Sequence, residues 1–137
     1  MNKFLISSIL LLTVSCAAWK NTSFSSQNLD GEWIPVKQEI GGKELPKAAF
    51  ENQKLIINDR NYTLIAESTD KGLIKFNKGK MDIFGREGVN AGKHFTAIYK
   101  FENGLFIICY NLLGDSYPVK FETKSKPTLF LSEFSKK

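Results

Sequence analysis

From Leu29 to the C-terminus, apolar and polar residues alternate in about eight short segments separated by turn residues, and the period is near two rather than 3.6. That pattern predicts a small closed β-barrel. Gly31 to Ile40 is the first expected strand, and Pro35 within it removes a ladder donor, which implies an edge position or a bulge. Gly41-Gly42 turns the chain. Pro46 to Gln53 places Pro at a first helical position ahead of Lys-Ala-Ala-Phe, so one short helix or helical turn is expected, capping one end of the barrel. Lys54 to Asn58 and Asn61 to Glu67 flank Asp59-Arg60 as a hairpin that turns Leu55, Ile57, Tyr62, Leu64 and Ala66 inward. Gly72 to Asn77 and Lys80 to Phe84 are two shorter, more polar strands with Ile74 and Phe76 in the core.

The strongest local signal is Asn103-Gly104, a pair that tolerates the positive φ values of a type I′ turn, between Lys93 to Glu102 and Leu105 to Asn111. A two-residue loop sets Phe101 opposite Phe106, Tyr99 opposite Ile108 and Ala97 opposite Tyr110. With Phe95 these make a continuous aromatic face. The other face mixes His94, Thr96, Ile98, Lys100 and Glu102 with Leu105, Ile107 and Cys109, so the patch around Ile98, Ile107 and Cys109 needs a cover: the short helix, the N-terminal tether or a partner. Gly85 to Gly92 lacks the lysine, the hydroxyl residue and the following helix of a phosphate-binding loop, and is expected to be a flexible connection at a barrel mouth. Gly114-Asp115 starts another turn, Tyr117 to Phe121 is expected to pair briefly, and Leu129 to Phe134 is the closing strand.

Composition sharpens this picture at the N-terminus. Met1-Asn2-Lys3, the apolar run Phe4 to Val14 and the small residues Ser15 to Ala18 have the form of a signal peptide, residues 1–15. The apolar run, about eleven residues, is too short to span a bilayer, which takes about 20. Leu12-Thr13-Val14-Ser15-Cys16 resembles a bacterial lipobox, with Thr13 in place of the usual Leu. It implies a lipid on Cys16 and a flexible tether over residues 16–28, the alternative being simple cleavage after Ala17 or Ala18. Either route takes the domain, residues 29–137, out of the cytoplasm, and a lipid makes it a membrane-anchored envelope protein. The formal charge is +5, spread as single lysines without an Arg-rich stripe or base-stacking motif, so no nucleic-acid partner is expected.

The order of several short motifs adds a family. Leu29-x-Gly31-x-Trp33, Gly41-Gly42-Lys43-x-Leu45-Pro46, Lys54-Leu55 to Tyr62-Thr63, Asp82-Ile83, Gly88-x-Asn90-x-Gly92-Lys93, Ile98-Tyr99, Cys109 and Pro118 to Phe121 resemble a family of small bacterial extracytoplasmic lipocalin-like domains. The resemblance covers Leu29 to Lys137. It implies an all-β fold, an eight-stranded antiparallel barrel of the calycin type, and no assigned biochemical function. Gly31-x-Trp33 is also similar to the first-strand signature of lipocalins, where the Trp packs across the closed end. One departure is visible: Tyr117 stands where the family tends to place Arg, so any stacking of that Arg on the tryptophan is in question.

Candidate chemistry is sparse. His94 is the single histidine. With Cys16 lipidated, Cys109 is a lone thiol in an apolar strand, better suited to packing than to nucleophilic work. No ligand spacing for a metal and no acid and base pair of carboxylates stands out, so no catalytic residue, metal or cofactor is expected. An eight-stranded barrel is just wide enough to hold one small molecule or to fill with its own side chains. Trp33, Leu55, Tyr62, Phe76, Phe95, Tyr99, Phe106 and Tyr110 therefore either line a site for a small hydrophobic or amphipathic ligand or are simply the core. In the second case the solid barrel becomes a docking module for an envelope protein, through an outer patch or the loops Gly85 to Gly92 and Leu112 to Tyr117.

Overall fold

The computed structural model describes residues 29–137. The expected signal peptide, Cys16 and the tether lie outside them. Asn103 and Gly104 have φ values of 52° and 76°, the two positive values that a type I′ turn demands, and the hairpin they close has the expected register, Phe101 opposite Phe106, Tyr99 opposite Ile108 and Ala97 opposite Tyr110.

Nine strands form among the described residues: β1 (Gly31–Ile40), β2 (Lys43–Glu44), β3 (Lys54–Asn58), β4 (Asn61–Ile65), β5 (Thr69–Asn77), β6 (Lys80–Glu87), β7 (His94–Glu102), β8 (Leu105–Asn111) and β9 (Leu129–Lys136). From β3 to β9 each strand pairs antiparallel with the next. Strand β1 closes the ring by pairing with β3 through Gly31 to Trp33 and with β9 through Trp33 to Ile40. The two-residue β2 is an appendage of β1, so the closed barrel is eight-stranded, antiparallel and all-β. The expected short helix is a 3-10 turn, Lys47–Ala49.

Pro35 acts as a bulge. The pairing of β1 with β9 shifts between Pro35 and Lys37, leaving Val36 as the extra residue. Trp33 and Pro35 face inward before the bulge and Gln38 after it, so an uninterrupted strand would have put Lys37 in the wall instead.

The interior is filled at one end. Trp33 sits 5.1 Å from Phe106 and 6.0 Å from Phe101 between ring centroids, Phe106 lies 6.0 Å from Tyr99 and 6.2 Å from Phe134, and Phe76 packs edge-on to Tyr99 at 5.6 Å. The Trp33 Nε1–H donates to the Leu29 carbonyl at 2.7 Å, which satisfies the one polar group of the indole. The departure at Tyr117 also resolves here. The cation over the tryptophan ring is Lys136 of the last strand, with Nζ 5.3 Å from the centroid, while Tyr117 donates its hydroxyl to Asp82 at 2.5 Å.

Several expectations need correction. Among the described residues the mixed face of β7 and β8 is covered not by the helical turn but by residues 112–128, between β8 and β9, which fold across it. Phe121, Ile98 and Leu105 pack on a second cluster of Ile107, Cys109, Leu129 and Leu131, and Thr123 is fully buried. Tyr117 to Phe121 accordingly does not pair as a strand. Thr123 ties this cover to β1, accepting from the Gly42 N–H at 2.9 Å and donating its hydroxyl to Glu39. Strands β5 and β6 each run three residues beyond their expected bounds. At the start of β5, Asp70 is a residue type disfavoured in strands, yet it is carried into the sheet by pairing with Leu64. Ala66 lies past the end of β4 and is exposed.

Candidate functional site

At the end opposite Trp33 the barrel is hollow. A cavity of about 480 Å3 opens there, in the range of small-molecule sites. Its floor and walls come from inward positions on the barrel strands: Leu55, Leu64, Ile74, Met81, Ile83, Phe95, Ile108, Phe130 and Phe134 are apolar, and Gln38, Tyr62, Asp70 and Tyr110 are polar or amphipathic. Gln53, Asn90, Lys93 and Leu112 reach it from the connections and mark the mouth. The inward rows Asp70-Gly72-Ile74, Phe95-Ala97-Tyr99 and Phe130-Ser132-Phe134 each carry a small residue at the middle position, which fills less of the interior than the larger residues on either side. The interior is thus part filled and part hollow, which removes the wholly solid barrel.

The eight aromatic and aliphatic positions proposed from sequence divide between these two halves. Leu55, Tyr62, Phe95 and Tyr110 line the cavity. Trp33, Phe76, Tyr99 and Phe106 belong to the packed end and do not reach it. Cys16 lies outside the described residues. Alternation could assign all eight to the interior but carried no information on height along the barrel axis.

The polar groups of the site fall into two sets. Gln38, buried, donates its amide to Gln53 Oε1 at 2.8 Å and to Ser132 Oγ at 3.4 Å, and Gln53 Nε2 donates to the Ala49 carbonyl at 3.2 Å. This set stitches β1, β9 and the 3-10 turn together beside the mouth. The second set is Asp70, Tyr62, Tyr110 and Asn90. Asp70 is a buried carboxylate that accepts the Asn90 backbone N–H at 3.1 Å and the Asn90 side-chain amide at 3.3 Å. None of the ion pairs among the described residues includes it. The Tyr62 hydroxyl is pushed above its ordinary pKa by burial and then by the negative charge of Asp70, and that of Tyr110 is pushed up by burial and the nearby Tyr62. Both therefore stay protonated at neutral pH. Neither hydroxyl is sealed off without a partner, and neither has a protein hydrogen bond among the described residues, so each opens on the cavity.

The glycine-rich stretch at the mouth differs from its expectation as a flexible connection. It is tied down by Asp70 to Asn90 and by backbone bonds from Gly85 N to Lys93 O, Ala91 N to Gly88 O and Gly92 N to Gly85 O, at 2.9, 3.1 and 2.9 Å. Gly88, at φ 90°, lies so close to Asp70 that a Cβ would stand 2.3 Å from Oδ1. The sequence places this loop at a mouth but does not single out Asp70, whose role becomes visible only beside Asn90.

Two reactive groups lie elsewhere. Cys109 is fully buried beneath the 112–128 cover, where burial pushes its thiol pKa up. His94 sits on the outer face, stacked on Phe84 at 4.6 Å and bonded to Asp82 at 2.7 Å. Cys109 pairs across the sheet with Ile98, four residues along β7 from His94, so the thiol and the imidazole are not brought together. Among the described residues no three His, Cys, Asp or Glu side chains converge as a metal site would require. No protein-family model, no curated protein and no solved structure matches the chain.

Proposed function

We propose that this protein is a non-enzymatic binding barrel of the bacterial cell envelope, which takes one small hydrophobic or amphipathic molecule into its hollow half. The leader directs it out of the cytoplasm, and a lipid on Cys16 holds it to a membrane with the barrel on the tether. The observation that carries the binding reading is the 480 Å3 cavity with a mainly apolar wall and a few convergent polar groups. The resemblance to the extracytoplasmic lipocalin-like domains and the lipobox-like Leu12 to Cys16 support the address.

The test is ligand-linked stability. A molecule bound only by the native state at about 100 times its Kd adds about 2.7 kcal/mol, which raises the denaturation midpoint. A panel of fatty acids, long-chain alcohols, alkyl amines, sterols and isoprenoids should contain at least one that does so. An unchanged midpoint across the panel removes the reading. Mass spectrometry of the mature protein should find an acylated Cys16 at its N-terminus, and an unacylated chain cleaved after Ala17 or Ala18 removes the anchor.

A second reading, docking of an envelope protein, is supported at the mouth, where Val89 and Leu113 are 68% and 65% exposed. A partner captured from detergent-solubilised envelope and lost on Leu113→Lys would favour it. Retention of every captured protein by that variant would end it.

A further inference from the structure

The polar corner of the cavity carries a charge that the barrel leaves uncompensated. Asp70 is 5% exposed, and the one other charged residue at the cavity among the described residues, Lys93, is exposed at the rim, where its Nζ bonds Asn90 Oδ1 at 3.4 Å. Buried carboxylates are ordinarily matched by a cation, because desolvation of a lone charge is costly. The two amide donors from Asn90 meet part of the need. An ionised carboxylate has about four lone-pair sites, so Asp70 keeps the capacity to accept further donors. Its position is fixed by the loop that wraps it, so it faces the cavity without needing a rearrangement.

The surroundings of this carboxylate favour one kind of head group. Tyr62 and Tyr110 flank the corner with hydroxyls that make no hydrogen bond among the described residues, and Phe130 packs against Tyr110 at 5.7 Å between centroids. Aromatic faces attract a cation that comes within about 6 Å of the ring centroid. A carboxylate head would instead meet Asp70 as a like charge in a poorly solvated corner. Resting on the reading of the cavity as a binding site, we propose that its occupant is a cationic amphiphile: an ammonium head held by Asp70 among Tyr62, Tyr110 and Phe130, with an apolar tail on the floor of Leu55, Ile108 and Phe134.

The competing account gives Asp70 only the task of holding the 88–92 loop. Head-group selectivity separates the two. Isothermal titration of the full 137-residue chain with decylamine, decyltrimethylammonium, decanol and decanoate, below their aggregation limits and near pH 7, compares four heads on one tail. The ammonium probes should bind at least about tenfold more tightly than decanoate, since like-charge juxtaposition at such a site exceeds the energy of one decade in Kd. Asp70→Asn, which keeps an acceptor for the Asn90 N–H, should erase that ratio while decanol binding stays within about twofold. Equal affinities, a preference for decanoate, or a ratio that survives Asp70→Asn overturns the ammonium assignment and leaves the cavity as a binding site. If none of the four binds and the broader panel does, the assignment alone fails; if nothing binds, the proposed function fails with it. Should Asp70→Asn not fold, the head-group series on the unaltered chain decides.

Discussion

Gly72→Ala tests the packing that shapes the site. Gly72 does not have a left-handed φ, so an alanine suits its backbone, and only the surrounding space forbids it. A Cβ there would lie 2.0 Å from the Phe84 carbonyl oxygen and 2.7 Å from Tyr62 Cε1. The tyrosine ring can move, but only into the cavity. The carbonyl cannot be cleared by a side-chain rotation, because Phe84 and Gly85 are held in the ladder between β5 and β6 opposite Leu73 and Gly72. Overpacking of this kind costs about 1–3 kcal/mol, and the backbone clash puts this case near the upper end. Loss of glycine's freedom in the unfolded chain returns about 0.4–1 kcal/mol. The expected net loss is about 2 kcal/mol, which for a domain near 100 residues lowers Tm by roughly 10 °C. Urea denaturation at 25 °C, followed by the fluorescence of the buried Trp33, measures it. Gly104→Ala is the contrast: with nothing within 4 Å and φ at +76°, its cost of about 1–2 kcal/mol comes from backbone conformation alone. A Gly72→Ala protein within about 0.5 kcal/mol of its parent would show that the ladder between β5 and β6 yields freely and that Tyr62 is not wedged in place.

Two further outcomes follow from the packed end and the outer cover. Phe106→Ala, at a fully buried position touching Trp33, Phe101, Tyr99 and Phe134, should cost about 3–5 kcal/mol in the same assay; a loss under about 1 kcal/mol would contradict a filled end. Partial burial acts to raise the pKa of Asp82, but hydrogen bonds from Tyr117 and His94 outweigh it and hold the group below its ordinary value of 3.8. Its contribution is therefore complete above that value and is lost as pH falls below it, through the lower folded value. Stability measured from pH 6 down to about 2 should fall less steeply in Asp82→Asn than in the parent, and parallel curves would refute the linkage.

Much of the barrel was legible along the chain because its determinants are local. Asn103 and Gly104 can adopt their positive φ values wherever they stand, and once they do, a residue period of two dictates every pairing from Phe101 and Phe106 to Ala97 and Tyr110. Pro35 announces a break in the ladder by its missing N–H. The consequence, Gln38 rather than Lys37 in the cavity wall, depends on the phase of the strand after the bulge.

What the tertiary structure alone decided are relations between residues far apart in sequence. Whether Asp70 is a strand breaker or a buried anchor turns on Asn90, twenty residues away, and whether the face of Ile107 and Cys109 is an exposed patch turns on Phe121 and Thr123. The cation over Trp33 comes from Lys136, which closure of β9 on β1 brings alongside. The hollow half has the same origin. Periodicity tells which side of a strand faces the axis, but the space left there depends on how large and small inward residues of separate strands fall beside one another, which follows from strand stagger around the closed ring.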